Sequence, residues 1–211
     1  MNPEVFRQAI RAGGERVRLI KAMPCTCYNP QENYDEQRWC SKCEFGQIYE
    51  EQTLADDVRV LITAVKKRYV HPEFGFVKVG DLTCQNMPDE ILLGPLDKLV
   101  LVGRQMLQRQ QVQKGTDALA WPYPCTLRAV RDRDVKYTVD TDCELDAANK
   151  QIVWLDGGSA PDDGATYTVE YLYNPVFWYL LGDESPPRPL PFQTTLAPQK
   201  GYLVEKHPGV G

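Results

Sequence analysis

Tyr167-Thr168-Val169-Glu170-Tyr171-Leu172-Tyr173 is the stretch that decides the fold class. Its aromatic and β-branched residues recur at every second position, so one face is apolar and the other carries Thr168 and Glu170, the signature of a half-buried strand. The same alternation recurs in Leu127–Val130, Tyr137–Val139 and Gln151–Leu155, and the intervening Asp156-Gly157-Gly158 and Asp162-Asp163-Gly164 are strong turn formers. Working outward toward the N-terminus, Val58–Val65 is dense in β-branched residues and continues to Val70, followed by strands at Phe76–Val79, Gly80–Cys84 and Asp97–Val102. Short strands divided by Gly, Pro and Asp suggest a small antiparallel β-barrel. Gln105 to Val112 either extends the last of these strands or forms a polar arm.

Toward the C-terminus, Pro175–Leu181 reads as a buried strand and Pro186-Pro187-Arg188-Pro189-Leu190-Pro191 as extended chain, because proline is barred from helix and sheet interiors. Gly201–Lys206 is a candidate last strand. The one helical pattern is residues 3 to 12, where Phe6 and Ile10 lie four apart, Asn2 caps, Pro3 takes the first helical position and Gly13-Gly14 stops the run. Glu15–Met23 is then a strand, with Val17 and Leu19 alternating with Arg16 and Arg18. With 211 residues the chain has room for one large domain or two small ones. The expected division is 1–114, the N-terminal helix and barrel with a zinc-ribbon-like insertion at about 24–50, and 115–211, a β-sandwich-like region with an extended Pro-rich C-terminal arm.

The insertion is where the chemistry lies. Cys25-Thr26-Cys27 is separated by twelve residues from Cys40-Ser41-Lys42-Cys43. Two close pairs joined by a short polar excursion are the usual cage for a structural zinc ion, each pair supplying two thiolates from one turn at Zn–S distances of about 2.3 Å. The single residue between Cys25 and Cys27 is tighter than the common spacing. Two disulfides, or free buried thiols, are the competing readings; disulfides need an oxidising compartment, and Met1–Arg7 does not resemble a secretory signal. Four sulfurs close the coordination sphere, whereas a catalytic zinc keeps a position open. Cys84, Cys125 and Cys143 are scattered and read as small buried hydrophobes.

Other chemistries find little to draw on. The two histidines, His71 and His207, each precede a proline and read as turn residues, so hydrolytic triads lack a base. No glycine loop has the context of a phosphate cradle, and the acidic turn from Asp156 to Asp163 lacks the spacing of a calcium loop. No enzymatic turnover is expected. The net charge of −5 argues against gripping nucleic acid, the more so because residues 28 to 57 carry eight acids against Arg38 and Lys42. No apolar run approaches the length of a membrane span, and no membrane partner is expected.

The whole chain resembles virion proteins of the tailed-bacteriophage neck, of the head-closure or head–tail connector type. Three places carry the resemblance: Cys40 to Tyr49, where a paired-cysteine cluster exits as Cys-x-x-Cys, a glycine and Ile48-Tyr49; Val79–Leu82 followed by Asp97-Lys98-Leu99-Val100-Leu101; and Asp140–Leu145, Ile152–Trp154 and Gly164–Tyr171, closing in an aromatic strand and Pro187–Pro191. The resemblance implies a structural protein of the virion, assembled in the bacterial host cytoplasm. It implies a homo-oligomeric ring between portal or adaptor proteins and tail or terminator proteins, with DNA as a passing occupant of its channel. A zinc-ribbon adaptor, a nucleic-acid-binding protein of cell or phage, and another tail or baseplate protein are the alternatives.

Overall fold

The structure is a computed structural model that describes residues 3–27, 40–43, 46–54, 58–64, 69–71, 75–77, 82–87, 90–94, 96–181 and 199–205. It is mainly β, with one short helix, as the alternation predicts. The helix α1 (Pro3–Gly13) is followed by β1 (Glu15–Pro24), β2 (Gln47–Gln52), β3 (Arg59–Ala64), β4 (Tyr69–His71), β5 (Gly75–Val77), β6 (Leu82–Asn86) and β7 (Lys98–Leu101). Next come β8 (Met106–Gln113), β9 (Pro124–Asp132), β10 (Val135–Tyr137), β11 (Cys143–Asp146), β12 (Gln151–Trp154) and β13 (Thr166–Tyr173), and last β14 (Val176–Leu181) and β15 (Gln199–Glu205). Among the described residues no helix is long and apolar enough to cross a membrane.

The chain forms two compact units, one of residues 1–103 and 176–211, the other of residues 104–175. The first is a curled, half-barrel antiparallel sheet in the order β2-β1-β3-β6-β15-β14-β7, curled so far that β7 pairs again with β1. β7 has a neighbour along each edge, β1 on one side and β14 on the other, and all four of its residues are buried. Leu99 and Leu101 are fully buried beside Val60, Cys84 and Tyr179, each leucine contributing about 2 kcal/mol of apolar burial. Val176–Leu181, grouped by sequence with the second region, belongs to this unit because its backbone pairs with β7 and β15.

Helix α1 packs Phe6 and Ile10 against Met87 and Leu61, and Arg7 and Arg11 reach Glu90. It ends as expected, and Gly14 is needed for its close approach: a Cβ there would overlap the Ile10 carbonyl oxygen. Residues 72–74 and 78–81 and the Pro-rich stretch 186–191 lie outside the described residues.

The second unit is a four-stranded sheet, β10-β9-β13-β8, with a separate β11–β12 hairpin. Tyr167, Val169, Tyr171 and Tyr173 point into its core with Val112, Leu127, Val130 and Trp121, so the founding stretch of alternation is a strand with one buried face. Gln105 to Val112 is not a free arm. As β8 it pairs with β13 from Met106↔Tyr173 to Gln113↔Thr166, because its pattern presents Val112 and Gln110 to the core and its tyrosines.

Candidate metal centre

The cysteines interrupt a hairpin. β1 and β2 pair in register down to Pro24↔Gln47, and one step further the Cys25 amide donates to the Gly46 carbonyl at 2.8 Å. Gly46 can turn the chain there because its φ is +74°, a conformation that side chains with a Cβ disfavour. Cys25 and Cys27 leave from one side of this base and Cys40 and Cys43 return at the other, each pair on its own tight turn. The four sulfurs all lie within 4.8 Å of one another, and Cys27 Sγ is 3.4 Å from Cys43 Sγ. A tetrahedron with metal–sulfur bonds of about 2.3 Å has edges of about 3.8 Å. The four positions named from sequence are therefore brought together at the scale of a metal cage, and all seven cysteines are free thiols.

The short first spacing works because the Cys27 amide hydrogen-bonds back to the Cys25 sulfur, as the Gly46 amide does to the Cys43 sulfur. Amides aimed at sulfur favour thiolates. That Cys27 amide bond, and next the Cys27 thiol, pull the Cys25 thiol down to about 7. Cys27 moves the other way, because its proton is shared first with Cys43 and then with Cys25; Cys43 is raised, by burial above all. One sulfur ionises easily and its neighbours then hold their protons, so four thiolates at this spacing require a cation among them. No histidine or carboxylate joins the set, and no second group of this kind occurs among the described residues. The cluster can hold a metal ion in a sphere filled by protein sulfur.

Two side chains that the sequence reading passed over brace the hairpin. Asp97, 1% exposed, accepts from Lys21 Nζ at 2.7 Å, from the Ala22 amide at 2.9 Å and from the Gly94 amide at 2.7 Å. Lys21 Nζ also donates to the Leu92 carbonyl at 2.7 Å. On the other face of the hairpin, Lys98 Nζ sits 3.2 Å from the centre of the Tyr49 ring. The approach to β7 thus grips both cysteine-bearing strands. The available signal was Lys21 itself, a cation standing where Val17 and Leu19 set an apolar period, with Asp97 just ahead of a fully apolar run.

The remaining candidates have structural roles. Cys84 and Cys143 are fully buried, and burial pushes the Cys143 thiol up to about 11. Trp154 and Tyr167 pack edge to face in the second unit's core and both donate to Asp117. The Asp156–Gly158 turn is held by Asp142, which accepts from the Thr138 and Ser159 amides. The His71 side chain and His207 lie outside the described residues. The chain matches no protein-family description and no curated protein. Fold and site define a mainly β protein with a cluster of four cysteines that could hold a metal ion.

Proposed function

We propose that the protein is a structural component of a tailed-bacteriophage virion, one copy of a neck ring that joins the capsid portal to the tail and leaves an axial channel for DNA. Its four cysteines hold a structural zinc ion that closes the base of the β1–β2 hairpin. One observation carries the assembly reading. β14 runs parallel to β1, since both are antiparallel to β7, and Trp178 and Ile20 are both level with Lys98. β1 and β14 therefore end on the same rim of the half-barrel, and the strands that follow them in the chain, β2 and β15, begin at Gln47 and Gln199. Hairpins close with two to five residues, and connections this much longer are usually functional. Two connections of this length that start from one rim, one of them carrying the four cysteines, suit a chain that engages neighbours in a ring. The resemblance of Cys40–Tyr49, Val79–Leu82 and Asp140–Leu145 to neck proteins supports the location.

All-sulfur tetrahedral sites take zinc or iron. Elemental analysis of protein purified without chelator should return one zinc per chain. An iron-coloured protein, or one without metal, refutes the zinc assignment. The location is tested by cryo-electron microscopy of purified particles: a ring of this chain between portal and tail is expected, and its absence from the particle overturns the reading.

A further inference from the structure

The outward face of the second unit's sheet gathers cations on an acidic protein. Because Tyr167, Val169 and Tyr171 point inward, their neighbours Thr168 and Glu170 point outward. In register with Thr168 stand Arg131 on β9 and Gln111 on β8, and Lys136 on β10 is level with Arg131, so one row of side chains crosses all four strands. At about 4.8 Å per strand the row is about 14 Å long. Arg109, two positions along β8 from Gln111, lies opposite Glu170 and pairs with it. Arg109, Ala129, Arg131, Thr168 and Glu170 line a shallow depression of about 350 Å³. Arg131 and Lys136 are exposed and have no ion pair among the described residues. Asp132, one position further along β9, belongs to the inner face, where its charge acts on Tyr137, and at the tip of the β9–β10 turn the exposed Arg133 and Asp134 offset each other. On the face itself, among the described residues, three cations meet one carboxylate, Glu170.

The chemistry of the face selects its ligand. Protein-binding patches centre on aromatic and apolar anchors. Here the aromatic residues of the four strands, Tyr137, Tyr167, Tyr171 and Tyr173, are all buried in the core, and the paired Leu107 and Leu172 stand at the end of the face away from Lys136. What the row presents is ammonium, guanidinium, hydroxyl and side-chain amide, the groups that contact the phosphate backbone of nucleic acid. Single strands are held by stacking bases on exposed aromatic rings, and these strands present none. The row is wider than the minor groove of B-DNA, about 6 Å, so its side chains can meet phosphates on both walls. We infer that this face binds the backbone of double-stranded DNA, weakly and without regard to sequence. The net charge of −5 does not forbid it, because charges farther away than about 8 Å are screened at physiological salt and the phosphates respond to the local face. Two unpaired cations hold a duplex loosely enough for it to slide. The inference rests on the neck reading only for the source of the duplex; the surface is read from the sheet itself.

Fluorescence anisotropy of labelled duplexes of two unrelated sequences, titrated with the full chain as purified, tests it. Both should bind alike, and with two phosphates neutralised the association constant should fall about twelvefold between about 50 and about 200 mM salt, a log–log slope of about −1.8. Arg131→Glu/Lys136→Glu should abolish binding and leave the thermal melt unchanged. Glu170→Gln removes the carboxylate and frees Arg109, so it should tighten binding and steepen the slope to about −2.7, a gain that no loss of folding can imitate. Absence of duplex binding at low salt overturns the inference, as does binding that ignores all three substitutions. Tighter binding of a single strand of equal length would mean that bases stack on some other surface, and equally tight binding of a poly-glutamate peptide of matched charge would reassign the face to acidic protein; either result refutes it. Each of these failures leaves the neck ring to be decided by imaging of particles, and particles that lack the ring would remove the neck reading while leaving duplex binding in place.

Discussion

Replacing Asp97 with alanine is expected to uncouple the cysteine hairpin from the half-barrel. The carboxylate is 1% exposed and is the acceptor for one ammonium and two amides, from Lys21, Ala22 and Gly94. Removing one member of a buried charge pair costs about 3–5 kcal/mol, because the partner is left uncompensated. Here the upper end is too high. Lys21 keeps the Leu92 carbonyl, and its side chain is 29% exposed, so water can reach its ammonium. The two amides are less easily rescued, at about 1 kcal/mol each. The expected loss is therefore about 3 kcal/mol, and about half of that for Asp97→Asn, which keeps acceptor capacity without the charge. With two compact units the chain need not unfold in one step. The assay is accordingly native-state hydrogen exchange resolved by peptide. Protection should fall in 15–24 and 98–101 and stay unchanged in 124–132 and 166–173. In the Lys21→Met background the cost of Asp97→Ala should shrink, the double-mutant signature of a direct pair. A loss below about 1 kcal/mol, or one spread evenly over both units, would refute the bracing role.

Three further outcomes are expected. Cys40→Ser, or a strong chelator, should release the bound metal and lower exchange protection at residues 19–24 and 47–52, leaving the second unit's melting unchanged; a variant that keeps full metal content and protection contradicts the cage. The second unit should lose stability in acid through Asp117. Burial works to raise that carboxyl, but hydrogen bonds from Tyr167, Trp154 and the Gly115 amide, with the Lys114 charge, outweigh it and hold the group below its ordinary value. A folded value below the unfolded one means stability that is present above about pH 4 and lost as pH falls through the folded value, so Asp117→Asn should flatten this acid limb of a urea-stability profile. Tyr179→Phe should be neutral or stabilising in thermal melts, because the buried Tyr179 hydroxyl finds no hydrogen-bond partner among the described residues; a drop of more than about 1 kcal/mol would mean that the hydroxyl is satisfied.

The local questions were settled by sequence. Period-two alternation made Tyr167–Tyr173 a strand with one buried face, since a pleated backbone sends successive side chains to opposite sides whatever lies around it. The helix at the N-terminus followed from Phe6 and Ile10 four apart and from its glycine stop, and the gathering of the four cysteines is in keeping with their spacing, because close pairs on tight turns are local features. What required tertiary structure was every decision about partners distant along the chain. Gln105–Gln113 has the composition of a polar arm, yet it is a strand because β13 offers it a full ladder of backbone bonds. Val176–Leu181 returns to the first unit across the whole of the second, and no local signal states which edge a buried strand will pair with. The grip of Asp97 on Lys21 spans 76 positions, so the sequence marks each residue as a charge beside an apolar run without stating that the two meet. Hydrophobic period and turn chemistry act over a few residues and are written in the chain; pairing of strands and burial of charge depend on which surfaces meet, and only the folded molecule decides that.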